Sequence, residues 1–206
     1  MAEVEIKATD VKALRDATGA GMMECKKALQ EANGDMEEAK KLLRERGIAK
    51  VGKLAERTAG EGVVEAYLHA PDPMLPAKVG VLVELNCATD FVAKTDEFRT
   101  LARNIALHVA AAQPSYISRD EVPADVVERE KEIYAKQAEG KPENVVAKIV
   151  EGKLNDFYAQ YCLLDQIYIK DEAQKTTVGQ LVDNLSAAVG EPVKVRRFAR
   201  YRVGGE

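Results

Sequence analysis

The residues of this chain that could do chemistry are few: two histidines, three cysteines, and the stretch NCATDFVAKTDEF (Asn86–Phe98), where an apolar run ends on a carboxylate and an aromatic ring. A metal site needs several ligands at short spacing. His69 lies near Pro71, Pro73 and Pro76 without a ligand set around it, and His108 lies beside an apolar helical stripe, where a hydrogen-bonded structural histidine is expected. Cys25, Cys87 and Cys162 are too far apart for a C-x-x-C zinc or redox motif, and their odd number argues against a disulfide framework, so a reducing compartment is expected. Neither G-x-S-x-G nor G-x-x-x-x-G-K-[ST] occurs, and Gly19-Ala20-Gly21 is too short for a phosphate cradle. The expectation is a protein that is not an enzyme and holds no metal and no cofactor.

Thr89, Asp90, Phe91 and Val92 remain, with two readings. Phe91 lies seven residues before Phe98, so it could extend the core stripe of a helix that Thr89 and Asp90 begin. Alternatively, Asp90 and Phe91 face outward and act on another protein. Pattern alone favours the first reading.

The elements that must position these residues follow from periodicity. Thr9 or Asp10 can cap a first helix that ends at the Thr18–Gly21 turn, and a second helix, MMECKKALQEA, ends at Asn33-Gly34. Asp35, with Glu38 three residues on, starts a third helix that Gly47 is expected to close. One of Met22 and Met23 is expected in the core of this bundle, because adjacent helical residues face different ways. The Ala-, Lys- and Gly-rich stretch after Gly47 reads as a connector. GVVEAYLHA and KVGVLVELNC read as strands of a β-hairpin around the three prolines, with Val79, Val81, Val83, Leu85 and Cys87 on one face. Phe98, Leu101, Ile105, Val109 and Ala112 form a helical stripe that can cover that face. Pro123 and Pro142 suit the first turns of two helices that should pack as an antiparallel hairpin. Thr177 and Gln180 form a capping pair before a helix that Gly190 ends.

The last strand, EPVKVRRFARYRV, alternates Val193, Val195, Ala199, Tyr201 and Val203 with Lys194, Arg196, Phe198, Arg200 and Arg202. A mostly buried face and a basic face are expected. The basic face carries only one stacking aromatic, Phe198, so a solvated face meeting acidic groups is preferred over an RNA-binding sheet. The reading is an α+β protein: a helical bundle (1–48), a linker (49–61), and a core (62–206) with a small, mostly antiparallel three-stranded sheet and a helical hairpin (123–161).

The bulk numbers agree. A chain of 206 residues with 46% hydrophobic and 31% charged residues suits a folded soluble protein, and a net charge of −4 does not point to nucleic acid. It contains no apolar run of the roughly 18 residues a membrane-crossing helix needs, and MAEVEIKATD has acids where a secretory signal has a basic start. A cytoplasmic protein with no membrane partner is expected.

Three segments carry a family resemblance: LRDATGAGMMECKKALQEANGDMEEAKKLLRERG (Leu14–Gly47), VLVELNCATDFVAK, and the closing VKVRRFARY. Together they resemble elongation factor Ts, the exchange factors for the translational GTPase elongation factor Tu. The resemblance runs nearly the whole chain. It implies that the bundle has the ubiquitin-associated fold and grips the GTPase's nucleotide domain, with Leu14, Arg15, Met22 and Met23 as contacts. It implies that Thr89, Asp90, Phe91 and Val92 intrude near the partner's magnesium site and promote GDP release. Longer members carry a second core copy, which is not found in this sequence. The chain is similar to the short form, for which a homodimer and a complex of two copies of each protein are expected, and Ala199 offers no thiol for a covalent link between subunits. An adaptor that only binds proteins through its bundle, and an RNA-binding protein, are the alternatives.

Overall fold

A computed structural model describes residues 6–18, 20–55, 57–72 and 74–205. Gly19 of the expected turn and Pro73 of the proline loop lie outside the described residues. The chain forms two compact units, one of Met1–Val63, Leu85–Arg99 and Val182–Lys194, the other of Val64–Glu84, Thr100–Leu181 and Val195–Glu206.

In the first unit, helices α1 (Ala8–Thr18), α2 (Met22–Glu31) and α3 (Met36–Ala55) pack against one another around Val11, Leu14, Cys25, Ala28, Leu29 and Ala39. Helix α1 begins at Ala8, ahead of the expected caps, with the Lys7 carbonyl accepting from the N–H groups of Asp10 and Val11. Asp35 caps α3 by accepting from the N–H groups of Glu37 and Glu38, both at 2.9 Å. Its own N–H donates to the Ala32 carbonyl rather than to Glu38, so only half of the expected reciprocal pair forms. The turn before it uses Asn33 (φ 51°) and Gly34 (φ 85°), where the left-handed backbone favours these two residue types.

Gly47 does not close α3. The helix continues to Ala55, so residues 49–55, read from sequence as connector, are helical. A glycine inside a helix costs about 1 kcal/mol relative to alanine, which weakens a helix without ending it. Ending one at glycine requires the left-handed conformation that Gly34 adopts and Gly47 does not.

Strands β1 (Glu61–His69), β2 (Val79–Cys87) and β3 (Lys194–Arg202) form one sheet in the order β1-β2-β3. Both pairings are antiparallel. Gly62 comes against the backbone of Leu85–Asn86 and Leu68 against Gly80, while Val203 bonds Lys78 and Arg197 pairs with Glu84. Val81, Val83, Leu85 and Cys87 are buried, as their alternation requires, and so are Phe98, Leu101, Ile105 and Val109 of α5 (Asp96–Ala112).

Strand β3 departs from its expected pattern. Tyr201 (74% exposed) and Val203 lie open, whereas Arg200, assigned from sequence to the basic face, donates from Nε (3.3 Å) and Nη2 (3.2 Å) to the Ala110 carbonyl near the end of α5. The cause is visible at Arg196 and Arg197, two consecutive exposed residues between buried Val195 and half-buried Phe198. From this break in alternation onward the later side chains take the face opposite to the one a regular strand would give them. The outer sheet face therefore carries Val64, Leu68 (73% exposed), Leu82, Tyr201 and Val203.

The second unit also holds α6 (Ala124–Gln137) and α7 (Glu143–Tyr161), which pack against each other. Pro123 and Pro142 occupy the N-cap positions, one residue ahead of the first turn. Helix α8 (Val178–Val189) starts with both bonds of the Thr177–Gln180 pair, at 3.1 and 3.0 Å, and ends at Gly190 (φ 73°).

His108 is buried, as the structural reading of it requires. Its Nδ1 accepts from the Ile169 N–H (3.2 Å), which leaves the proton on Nε2 to donate to Gln166 Oε1 (2.9 Å). Burial holds its pKa below the ordinary histidine value of 6.5. The neutral ring belongs to the folded state, so protons bind the unfolded chain first. Stability is expected to be flat on this account above about pH 6.5 and to fall below it, by no more than about 1.4 kcal/mol per pH unit. Urea unfolding from about pH 7.5 to 5.5 checks this: the wild type should lose more stability over that interval than His108→Gln, which is weaker throughout.

Candidate functional site

The candidate site is the corner where β2 hands over to α5. After Cys87 the chain stays extended through Thr89 (φ −131°, ψ 152°) and then forms a single helical turn, α4 (Asp90–Ala93), closed by bonds from Ala93 N–H to the Thr89 carbonyl and from Lys94 N–H to the Asp90 carbonyl. Thr89 is the N-cap, its hydroxyl oxygen accepting from the Val92 N–H at 3.5 Å.

Thr95 then interrupts the helix. Its hydroxyl donates to the Val92 carbonyl (2.9 Å) and accepts from the Phe98 N–H (3.3 Å), ending one helix and capping the next with the same side chain. The stripe that could have joined Phe91 to Phe98 is broken at this point. Phe98 has no exposed surface; Phe91 is 79% exposed. Ala93 is the residue that α4 turns inward, and Val92 is half-buried.

Asp90 points its carboxylate at Lys94 Nζ, 2.6 Å away, across one turn. The hydrogen bond from Lys94 holds the Asp90 pKa below the usual aspartate value, so the group is ionised at neutral pH. Both side chains are largely exposed, and an exposed, solvent-screened pair of this kind contributes little. Asp90 can therefore change partner at small cost.

Thr89 is anchored from a distant part of the sequence. Its N–H donates to Glu191 Oε2 (3.1 Å) and its hydroxyl to Glu191 Oε1 (2.8 Å). The Cys87 thiol donates to the Thr89 carbonyl (3.1 Å), and burial raises the pKa of that thiol. Glu191, Thr95 and Lys94 are the residues that sequence reading missed. Lys94, four residues after Asp90, carried a local signal. Glu191, 102 positions from Thr89, carried none.

The other candidates lie on the bundle. Leu14 is fully enclosed in its core, so it acts through packing and offers no contact surface. Arg15 is exposed. Met22 and Met23 are both exposed, at 54% and 66%, which corrects the expectation that one would be buried. They are the first two residues of α2, and the buried positions of that helix begin only at Cys25. Of the basic strand, Arg197 pairs with Glu84 (2.6 Å) and Arg200 bonds α5, so two of its cations already have partners. Among the described residues no three His, Cys, Asp or Glu side chains converge as a metal site, and no helix is long and apolar enough to cross a membrane.

A family model described as "Elongation factor TS" matches residues 2–205. The elongation factor Ts of Acetivibrio thermocellus is 55% identical over 201 residues, covering 97% of this chain and 90% of that protein. Those of Thermotoga maritima (52% identical, 98% of each chain) and Moorella thermoacetica (53% identical, 97% of this chain and 96% of that one) match over the same length.

The break at Thr95 separates two phenylalanines that pattern alone would place together. Phe98→Ala is expected to lower unfolding stability by about 3–5 kcal/mol, the usual loss for a buried ring. Phe91→Ala should change it by no more than about 0.5 kcal/mol. Chemical denaturation of the two variants measures the difference.

Proposed function

Because the chain belongs to the elongation factor Ts family and is a translation elongation factor, we propose that it binds elongation factor Tu·GDP and promotes release of GDP, so that GTP can enter. The exposure of Phe91 carries this reading. A ring left open beside an ionised carboxylate, on a short turn held at both ends, contributes nothing evident to its own core. It suits a wedge.

In the proposed mechanism Phe91 enters between two helices of the GTPase while Asp90 disturbs the water shell of the partner's magnesium. GDP is held chiefly by that ion and the phosphate loop, so displacing them removes the strongest charge-assisted contacts. Val92, half-buried, and Thr89, anchored, set the direction of the turn. The bundle (1–48) docks on the nucleotide domain through Arg15, Met22 and Met23, with Leu14 supporting them from within; residues 49–61 link it to the core (62–206). The factor is unchanged by the event and is not an enzyme. It favours the nucleotide-free state, and by linkage GDP weakens the factor's binding as much as the factor weakens GDP's. No cofactor, nucleic acid or membrane enters this reading, and the cytoplasm is its setting. An adaptor acting through the bundle alone leaves the exposed Phe91 without a role.

The open sheet face supports a homodimer, two copies engaging two GTPases. Val64, Leu68, Leu82, Tyr201 and Val203 leave exposed apolar side chains on this sheet, of the sort a second copy covers.

Two measurements test these statements. Asp90→Ala/Phe91→Ala should slow release of a fluorescent GDP from elongation factor Tu by about 30-fold or more, the size of a lost interface anchor, while the nucleotide-free complex still forms. An unchanged release rate would falsify the wedge. Light scattering should give a dimer for the wild type and a monomer for Leu82→Lys/Tyr201→Lys; a wild-type monomer removes the dimer.

A further inference from the structure

Thr89 donates both its hydrogens to one carboxylate. The Glu191 fork takes the backbone N–H at 3.1 Å and the hydroxyl at 2.8 Å, immediately before the turn that carries Asp90 and Phe91. We propose that Glu191 is the positioning residue of the wedge, holding α4 in its active direction before the GTPase arrives. This rests on the wedge reading of Phe91 and deepens it.

Without an outside support a helix of one turn does not persist, because nucleation fixes several residues for a single hydrogen bond. Helix α4 has four residues, closed by backbone bonds from the N–H groups of Ala93, Lys94 and Thr95. Thr95 restrains its far end, and Glu191 restrains its start. The carboxylate is itself firmly mounted. Gly190 turns the chain in the left-handed conformation, the Ser186 hydroxyl donates to the Glu191 carbonyl at 2.6 Å, and Pro192 next to it is fully buried. A fork of two charge-assisted bonds on such a base fixes both position and angle. Phe91, two residues on, is thereby ordered while exposed, so its ordering does not have to be supplied during binding.

The alternative role is a structural staple between the α8–β3 turn and the end of β2. The two roles differ in what they do to exchange. A staple that is lost leaves part of the protein inactive, which raises the concentration needed for half-maximal GDP release and leaves the saturating rate alone. A wedge that is no longer held lowers the saturating rate, while the bundle still docks and the half-saturating concentration holds.

The test uses the full chain with elongation factor Tu loaded with a fluorescent GDP, following release over a range of factor concentrations. Glu191→Gln puts an amide where one of the two acceptors stood, and Thr89→Val removes the hydroxyl while keeping its shape. Each is expected to lower the saturating rate about tenfold, the size of one charge-assisted hydrogen bond, at an unchanged half-saturating concentration. In a Phe91→Ala background Glu191→Gln should add nothing further, because both act through one step. If Phe91→Ala slows release but Glu191→Gln and Thr89→Val keep the wild-type saturating rate, Glu191 is only a staple and the proposal falls while the wedge stands. If Phe91→Ala leaves release unchanged, the wedge falls and this proposal with it.

Discussion

One hydroxyl, that of Thr95, decides which of two phenylalanines belongs to the core. By donating to the Val92 carbonyl and accepting from the Phe98 N–H it ends a one-turn helix and starts a long one within the same residue. Had the helix run on unbroken from Asp90, Phe91 would have lain close to the face of Phe98, two full turns along, and both rings would have sought the same apolar cover. The interruption uncouples them. Phe98 is free to stabilise the fold and Phe91 is free to face outward.

An exposed aromatic on a short turn is an expensive thing to keep ordered, because neither burial nor a long helix supports it. Here the support is polar and lies at the two ends of α4. The Glu191 fork stands at one end and Thr95 at the other, and Lys94 holds the Asp90 carboxylate between them. These bonds differ in how easily they exchange. The fork is two bonds to one part-buried carboxylate, whereas the Asp90–Lys94 pair is exposed and contributes little. The Asp90 charge is thus held loosely on a backbone that is held tightly.

The sheet divides its work in a similar way. Its inner face is filled by Val81, Val83, Leu85 and Cys87, and its outer face carries exposed Leu68, Leu82 and Tyr201 beside the Arg197–Glu84 ion pair. Apolar residues left exposed on the second face of an antiparallel sheet form the kind of patch that marks an interaction surface. In β3 the alternation breaks at Arg196–Arg197. The break turns Tyr201 and Val203 outward and sends Arg200 to the end of α5, where a cation meets carbonyls left without helical partners.

Local periodicity was enough for most of the elements. Alternation placed Val81, Val83, Leu85 and Cys87 on one face, spacing of three and four placed Phe98, Leu101, Ile105 and Val109 in a stripe, and Thr177 with Gln180 marked a helix start, since each depends only on residues a few positions apart. The candidate site was legible as a set of residue types, because Thr89, Asp90, Phe91 and Val92 stand adjacent in the chain. What short-range pattern did not reach was left to tertiary structure: whether Gly47 ends a helix, which way Tyr201 faces after the break in alternation, whether Met22 lies beyond the edge of its core, and above all that Glu191 would grip Thr89 from 102 positions away. Periodicity reports which side of an element is apolar. Only the packed chain determines which residues from far along the sequence arrive there to hold it.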